Sequence, residues 1–187
     1  LGNNKANLIA TYGSGPGGLV LAGHTDTVPC DEALWDSNPF ELCERDNRWY
    51  GLGSCDMKGF FPLAIEAFRS LPIKDLKQPL IILATADEES SMGGAKALVA
   101  AGKPIARRAV IGEPTNMRPV KMHKGIMIEK LTITGKSGHS SNPALGNNAM
   151  ESMQRILGQL MALRDRMKEQ KHPGFLIDYP TLNLGCI

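Results

Sequence analysis

The sequence lacks a long apolar run, a paired set of cysteines and an excess of charge of either sign, and each shortage excludes something. No apolar stretch approaches the ~18 residues of a membrane span, so no membrane partner is expected. Lys plus Arg exceed Asp plus Glu by only two, 21 against 19, and aromatic residues make up 5% of the 187 residues. With no basic stripe interleaved with aromatics there is no nucleic-acid footprint, and the expected partner is a small molecule. Cys30, Cys43, Cys55 and Cys186 show no Cys-x-x-Cys pair and no disulfide-framework spacing, which favours free thiols in a reducing, cytoplasmic compartment. Cys55 is expected to be a small residue packed behind a site rather than a soft metal ligand, since no second cysteine lies near it in sequence. The chain opens at Leu1-Gly2-Asn3-Asn4 without a methionine, as a piece cut from a longer protein would.

What is present reads as an α/β chain. Apolar content of 42% with 21% charged residues is ordinary for a globular protein, and the length suits one or two domains. Asn7 to Tyr12 and Leu19 to Ala22 are short apolar runs around a turn-forming Gly13–Gly18 cluster, and both read as strands. Phe40 to Arg45 and Arg48 to Leu52 flank Asp46-Asn47 as a tight hairpin. Lys58 to Leu71 carries Phe61, Ala64, Ile65 and Phe68 at helical spacing, with Pro72 as a stop. Pro79 to Ala86 is a central strand, Gly93 to Ala101 a small-residue helix, and Ala109 to Gly112 another buried strand. Beyond Met117, Ile126 to Thr134 alternates apolar and polar residues, and a loop follows from Gly135 to Gly146. A long amphipathic helix then begins, with Asn148 as cap and Glu151 as reciprocal partner. Its stripe of Met150, Met153, Ile156, Leu157, Leu160, Leu163 and Met167 suits packing on a small sheet or a subunit interface. Thr181 to Ile187 begins a further strand.

The chemistry gathers where apolar runs end. His24 and Asp26 follow one strand, Glu88 and Glu89 another and Glu113 a third, while Asp56 lies in Gly-Ser-Cys-Asp-Met-Lys-Gly. Groups at the carboxyl ends of buried strands collect at one edge of an open α/β sheet. Residues two apart on an extended segment share a face, so Asp26 is placed to hold the second ring nitrogen of a metal-ligating His24. Adjacent side chains diverge, so Glu88 and Glu89 are expected to do different work, one binding metal and the other handling protons. Asp56, Glu89 and Glu113 with a bound hydroxide carry four negative charges, which two divalent cations balance; without metal the cluster repels itself.

The motifs Gly-His-Thr-Asp-Thr-Val-Pro (23–29), Gly-Leu-Gly-Ser-Cys-Asp-Met-Lys-Gly (51–59), Ala-Thr-Ala-Asp-Glu-Glu-Ser (84–90), Gly-Glu-Pro-Thr (112–115) and Gly-His-Ser-Ser-Asn-Pro (138–143) occur in this order. The series resembles the dinuclear zinc aminoacylase and carboxypeptidase family across essentially the whole chain. The resemblance implies an open mixed sheet flanked by helices in a partial catalytic domain, residues 1–124. Part of a ferredoxin-like lid and dimerisation domain, residues 125–187, would follow. It implies two divalent metals, zinc with cobalt or manganese tolerated: Asp56 bridging, His24 and Glu113 completing one position, Glu89 serving the other. Asp26 would orient His24, Glu88 would be the general base, and His139 would reach the active site of the other subunit of a homodimer. The implied reaction is hydrolysis of the amide of an N-acyl amino acid. A last metal-ligating histidine and the grip on the substrate carboxylate are expected beyond Ile187, making this chain roughly the family's central half. A cis peptide between Asp56 and Met57 is also implied. A non-catalytic scaffold on the same fold is the alternative of a different class, and the presence of Glu88 beside Glu89 speaks against it, because a binding module needs no proton shuttle.

Overall fold

The computed structural model describes Gly2 and residues 4–185, which divide into two compact units, Leu1–Pro119 and Val120–Ile187. In the first, strands β1 (Leu8–Tyr12), β2 (Leu19–His24), β5 (Leu80–Thr85) and β6 (Arg108–Ile111) form one sheet in the order β1-β5-β2-β6. Strand β1 runs antiparallel to β5, whereas β5, β2 and β6 are parallel. The strands β3 (Cys43–Arg45) and β4 (Arg48–Tyr50) form a separate hairpin. Asp46 and Asn47 both take positive φ in its turn, 53° and 56°, the backbone that matches the twist of a two-residue hairpin.

The core follows from the apolar runs. Ile82 of β5 is buried in one cluster with Ala64 and Phe68 of helix α1 (Phe60–Arg69), and the register partners Val20 and Ile81 of the two central strands are also buried. Tyr12, Leu21, Phe60, Phe61 and Leu80 pack against Ala64, Phe68 and Ile82. The strand expected to be buried at Ala109 to Gly112 is instead the edge strand β6, exposed along its length because β2 alone pairs with it among the described residues. Helix α1 is shorter at both ends than its apolar spacing, and Ile65 is 42% exposed, so the stripe that meets the sheet is narrower than expected. At the end of β6, Gly112 admits no side chain, because a Cβ there would run into the ring of Phe60. Helix α2 (Gly93–Ala101) spans the small-residue segment and ends at Gly102 in the left-handed conformation, a common helix stop.

In the second unit the principal element is helix α3 (Ala149–Met167). Its cap is Asn148, whose side-chain oxygen accepts the Met150 N–H at 2.9 Å. The carboxylate of Glu151 meets the Asn148 side-chain amide at 3.5 Å rather than returning to the cap's backbone N–H. Ile126 to Thr134 forms no strand despite its alternation, and 181–185 likewise carry no ladder. A strand exists only where a neighbour supplies hydrogen bonds, and among the described residues of this unit the pairing is a single bridge, Lys136 with Asn147. The final two residues of the Thr181–Ile187 expectation, and Cys186 with them, lie outside the described residues. No helix among the described residues is long and apolar enough to cross a membrane.

Candidate active site

Because β5, β2 and β6 are parallel, their carboxyl ends share one edge. Register pairs His24 with Thr85 and Ala22 with Ile111, and the Gly112 N–H continues to the Ala22 carbonyl at 3.0 Å. The residues just past each strand, His24 to Asp26, Glu88-Glu89 and Glu113, therefore meet around the central strand β2. His24 is its last residue and only 2% exposed.

Asp56 arrives from the loop before α1. Its successor Met57 is completely buried, and a Cβ on Gly23 would lie 2.6 Å from the Met57 Cε. This apolar plug beneath the end of β2 pins Asp56 beside His24, and it went unrecognised in the sequence. The Asp56–Met57 peptide is cis. Cys55 is exposed, so it is not the packed residue expected behind the site; the fully buried Met57 fills that place.

His24 Nε2 lies 3.2 Å from Asp56 Oδ1, 3.8 Å from Glu113 Oε1 and 3.9 Å from Glu88 Oε2. One ligand atom from each of His24, Asp56 and Glu89 falls within 4.8 Å of the others. Both glutamates thus face the same space. The expected divergence of Glu88 and Glu89 fails because they sit in a turn, not on extended chain.

Asp26 works differently from the expectation. The His24 Nδ1 contacts the Asp26 backbone carbonyl at 2.9 Å, while the nearest Asp26 carboxylate oxygen is 3.7 Å away. That carboxylate instead accepts the backbone N–H groups of Glu88 and Glu89 at 3.1 and 3.0 Å, two donors that outcompete a ring nitrogen already satisfied. A carbonyl only accepts, so Nδ1 carries a proton, and in the neutral ring Nε2 presents its lone pair to the carboxylates.

The electrostatics agree with this crowding. Burial opposes the charged form of His24, but the Asp26 carbonyl and the carboxylates of Glu113, Glu88 and Asp26 outweigh it and raise its pKa. Burial, followed by the negative charge of Asp56, raises the carboxyl of Glu89. Burial also raises Glu113; His24 opposes the rise, and repulsion from Asp56, Glu88 and Glu89 adds to it. Asp26 is lowered: burial pushes up, yet the amides of Glu89 and Glu88 prevail. An imidazole lone pair ringed by four carboxylates is a donor set that fits divalent cations, whose charge removes the repulsion.

His139 belongs to the second unit, where its Nδ1 lies 2.7 Å from the Ser141 hydroxyl. It is exposed on a loop that begins at the Lys136–Asn147 bridge.

The description "Peptidase family M20/M25/M40" matches residues 20–174. The chain belongs to that family. Among M20/M25/M40 relatives, acetylornithine deacetylases of Edwardsiella ictaluri (strain 93-146), Klebsiella pneumoniae (strain 342) and Pasteurella multocida (strain Pm70) are each 52% identical over 185 residues. Each match covers 98% of this chain and 48% of the relative, so the chain spans about half the length of the curated relatives it matches. Among solved structures, human carnosine dipeptidase 1 is similar at 28% identity, with a TM-score of 0.47 over 56% of this chain and 24% of that one.

Proposed function

We propose that the protein to which this chain belongs is a metal-dependent amidohydrolase that removes the acetyl group from N2-acetyl-L-ornithine, yielding ornithine and acetate. The observation that carries the reading is the meeting of His24 Nε2 with Asp56, Glu88 and Glu113 at one sheet edge. Identity of 52% to three acetylornithine deacetylases supports the choice of substrate. Succinyl-diaminopimelate desuccinylation and carboxypeptidase action are the rival reactions on this scaffold.

In this reading Asp56, His24 and Glu113 would hold one divalent ion, zinc in the first instance, and Asp56 with Glu89 would hold the other. Bound metal supplies Lewis acidity, making water more acidic and polarising the amide carbonyl. Glu88 accepts a proton from the attacking water and returns it to the departing amine nitrogen. Asp26 does its work from outside this set. Its carbonyl fixes the tautomer and tilt of the His24 ring, and its carboxylate fixes the amides of Glu88 and Glu89. The second unit is taken as part of a lid through which a cytoplasmic homodimer forms, with His139 serving the neighbouring subunit's site.

Acetyl, succinyl and formyl amino acids assayed on the full-length protein separate the candidate substrates. Glu88→Gln should lower turnover by about 10²–10⁴-fold while metal still binds. Turnover within a few-fold of wild type would remove Glu88 from the proton path, and preferential cleavage of a succinyl substrate would replace the deacetylase assignment.

A further inference from the structure

The turn that carries Glu88 and Glu89 is fastened at its base by a residue that stands just before β1. The side-chain oxygen of Asn7 accepts the Ala86 N–H at 3.1 Å, and its amide donates to the Gly94 carbonyl at 2.9 Å. One planar group thus ties the residue entering the turn to the first turn of α2, beside a direct bond from the Gly94 N–H to the Ala86 carbonyl at 3.1 Å. The junction is close-fitting: a Cβ on Gly94 would lie 2.5 Å from the Asn7 amide oxygen. Within the turn, Asp87 takes a positive φ of 61° and accepts the Met92 N–H at 2.7 Å. Its carboxylate pairs with Lys5. The turn therefore has two anchors, Asp26 past β2 and the Lys5–Asn7 segment before β1, and the proposed mechanism draws only on the first.

We infer that Asn7, assisted by Lys5 through Asp87, is a positioning residue that sets the direction from which the Glu88 and Glu89 carboxylates enter the site. The need for it is electrostatic. Glu88 and Glu89 face Asp56 and Glu113, and a turn free to swing would carry its carboxylates out to water and relieve the repulsion. Asn suits the place because its amide both donates and accepts, so a single side chain closes both ends of the turn. The role given to Glu88 rests on the proposed hydrolysis; the placement of the two carboxylates does not.

The test uses the full-length protein with Asn7→Ala, Asn7→Asp and Lys5→Met. Three quantities are read: hydrogen exchange over 84–94 in the metal-free state, zinc affinity by chelator competition, and kcat and KM on an acetylated amino acid. Asn7→Ala should speed exchange across the turn and weaken zinc binding by about 10–100-fold, as loss of a supporting hydrogen bond does at metal sites. It should lower kcat with KM unchanged, since Asn7 touches no substrate. Asn7→Asp keeps only the bond from Ala86 and should fall between, and Lys5→Met should move all three readouts in the same direction by less. A merely structural role would lower the melting temperature while leaving zinc affinity of the folded protein at the wild-type value; that outcome, or unchanged exchange over 84–94, overturns the inference. Should Asn7→Ala fail to fold, Lys5→Met, altered at a half-exposed side chain, carries the same three readouts. If wild type hydrolyses no acyl amino acid the proposed function falls, while exchange and zinc affinity still decide the role of Asn7.

Discussion

In Leu1–Pro119 the central strands and α1 bury Val20, Ile81, Ile82, Ala64 and Phe68, whereas no described residue of Val120–Ile187 is buried. The second unit is not short of apolar residues. Ile126, Met127 and Ile128 are exposed, and in the stripe of α3 Met150 and Leu163 are exposed while the others are only partly buried. The contrast separates pattern from burial: amphipathic spacing names the face that seeks cover, and only a neighbouring element supplies it.

Substitutions matched across the two units sharpen the contrast. Ile82→Ala empties part of the core and should cost about 2–5 kcal/mol, while Ile128→Ala, at a residue 86% exposed, should stay within about 0.5 kcal/mol. Denaturant midpoints of the two variants decide it, and equal losses would erase the distinction. Gly112→Ala forces a methyl into the Phe60 ring and should destabilise by about 1–3 kcal/mol. Gly158→Ala in α3 meets nothing within 4 Å, so the helix preference for alanine should stabilise by about 0.8 kcal/mol. Thermal melts that place both glycine variants on the same side of wild type would break the comparison.

The smallest effect is expected from pH, because the carboxylates concerned are partly exposed and solvent screens them. In metal-stripped protein Glu89, Glu113 and His24 all hold protons more tightly folded than unfolded. Their stabilisation is complete below the ordinary values of 4.5 and 6.5 and is lost as pH rises through the raised folded values. Asp26 runs the other way, stabilising above 3.8 and losing its contribution as pH falls. Metal-free stability should therefore decline from mildly acidic pH through neutrality, and a saturating divalent ion should flatten that slope. A metal-free midpoint that climbs over the same range would show that carboxylate repulsion does not govern the site.

Much of the first unit was legible because its signals are local. An apolar run ending at a polar residue locates a strand end, and parallel order then gathers His24, Glu88, Glu89 and Glu113 at one edge. Less legible were contacts made by backbone. Every residue has a carbonyl, so nothing in the sequence says that His24 is held by that of Asp26 while the Asp26 carboxylate takes two amides. Long-range partners were equally hidden: Asn7 reads as the polar start of a strand, and its grip on Ala86 and Gly94 depends on β1 lying beside β5. Met57 could have been suspected as the one large apolar residue between Gly53 and Gly59. Ile126 to Thr134 misled because alternation reports a two-faced segment, not the strand that would pair with it.

The antiparallel placement of β1 has a practical corollary. The Gly13–Gly18 connection and the segment leading into β5 both lie at the amino ends of β2 and β5, opposite the site. Strands of six residues at about 3.3 Å each put roughly 20 Å of sheet between those turns and the clustered carboxylates. Exposed Lys77 and Gln78 in that region therefore offer a place for an inserted epitope, a fluorescent label or a surface tether, so that the molecule can be immobilised or followed by its far edge without a modification beside the carboxylate cluster.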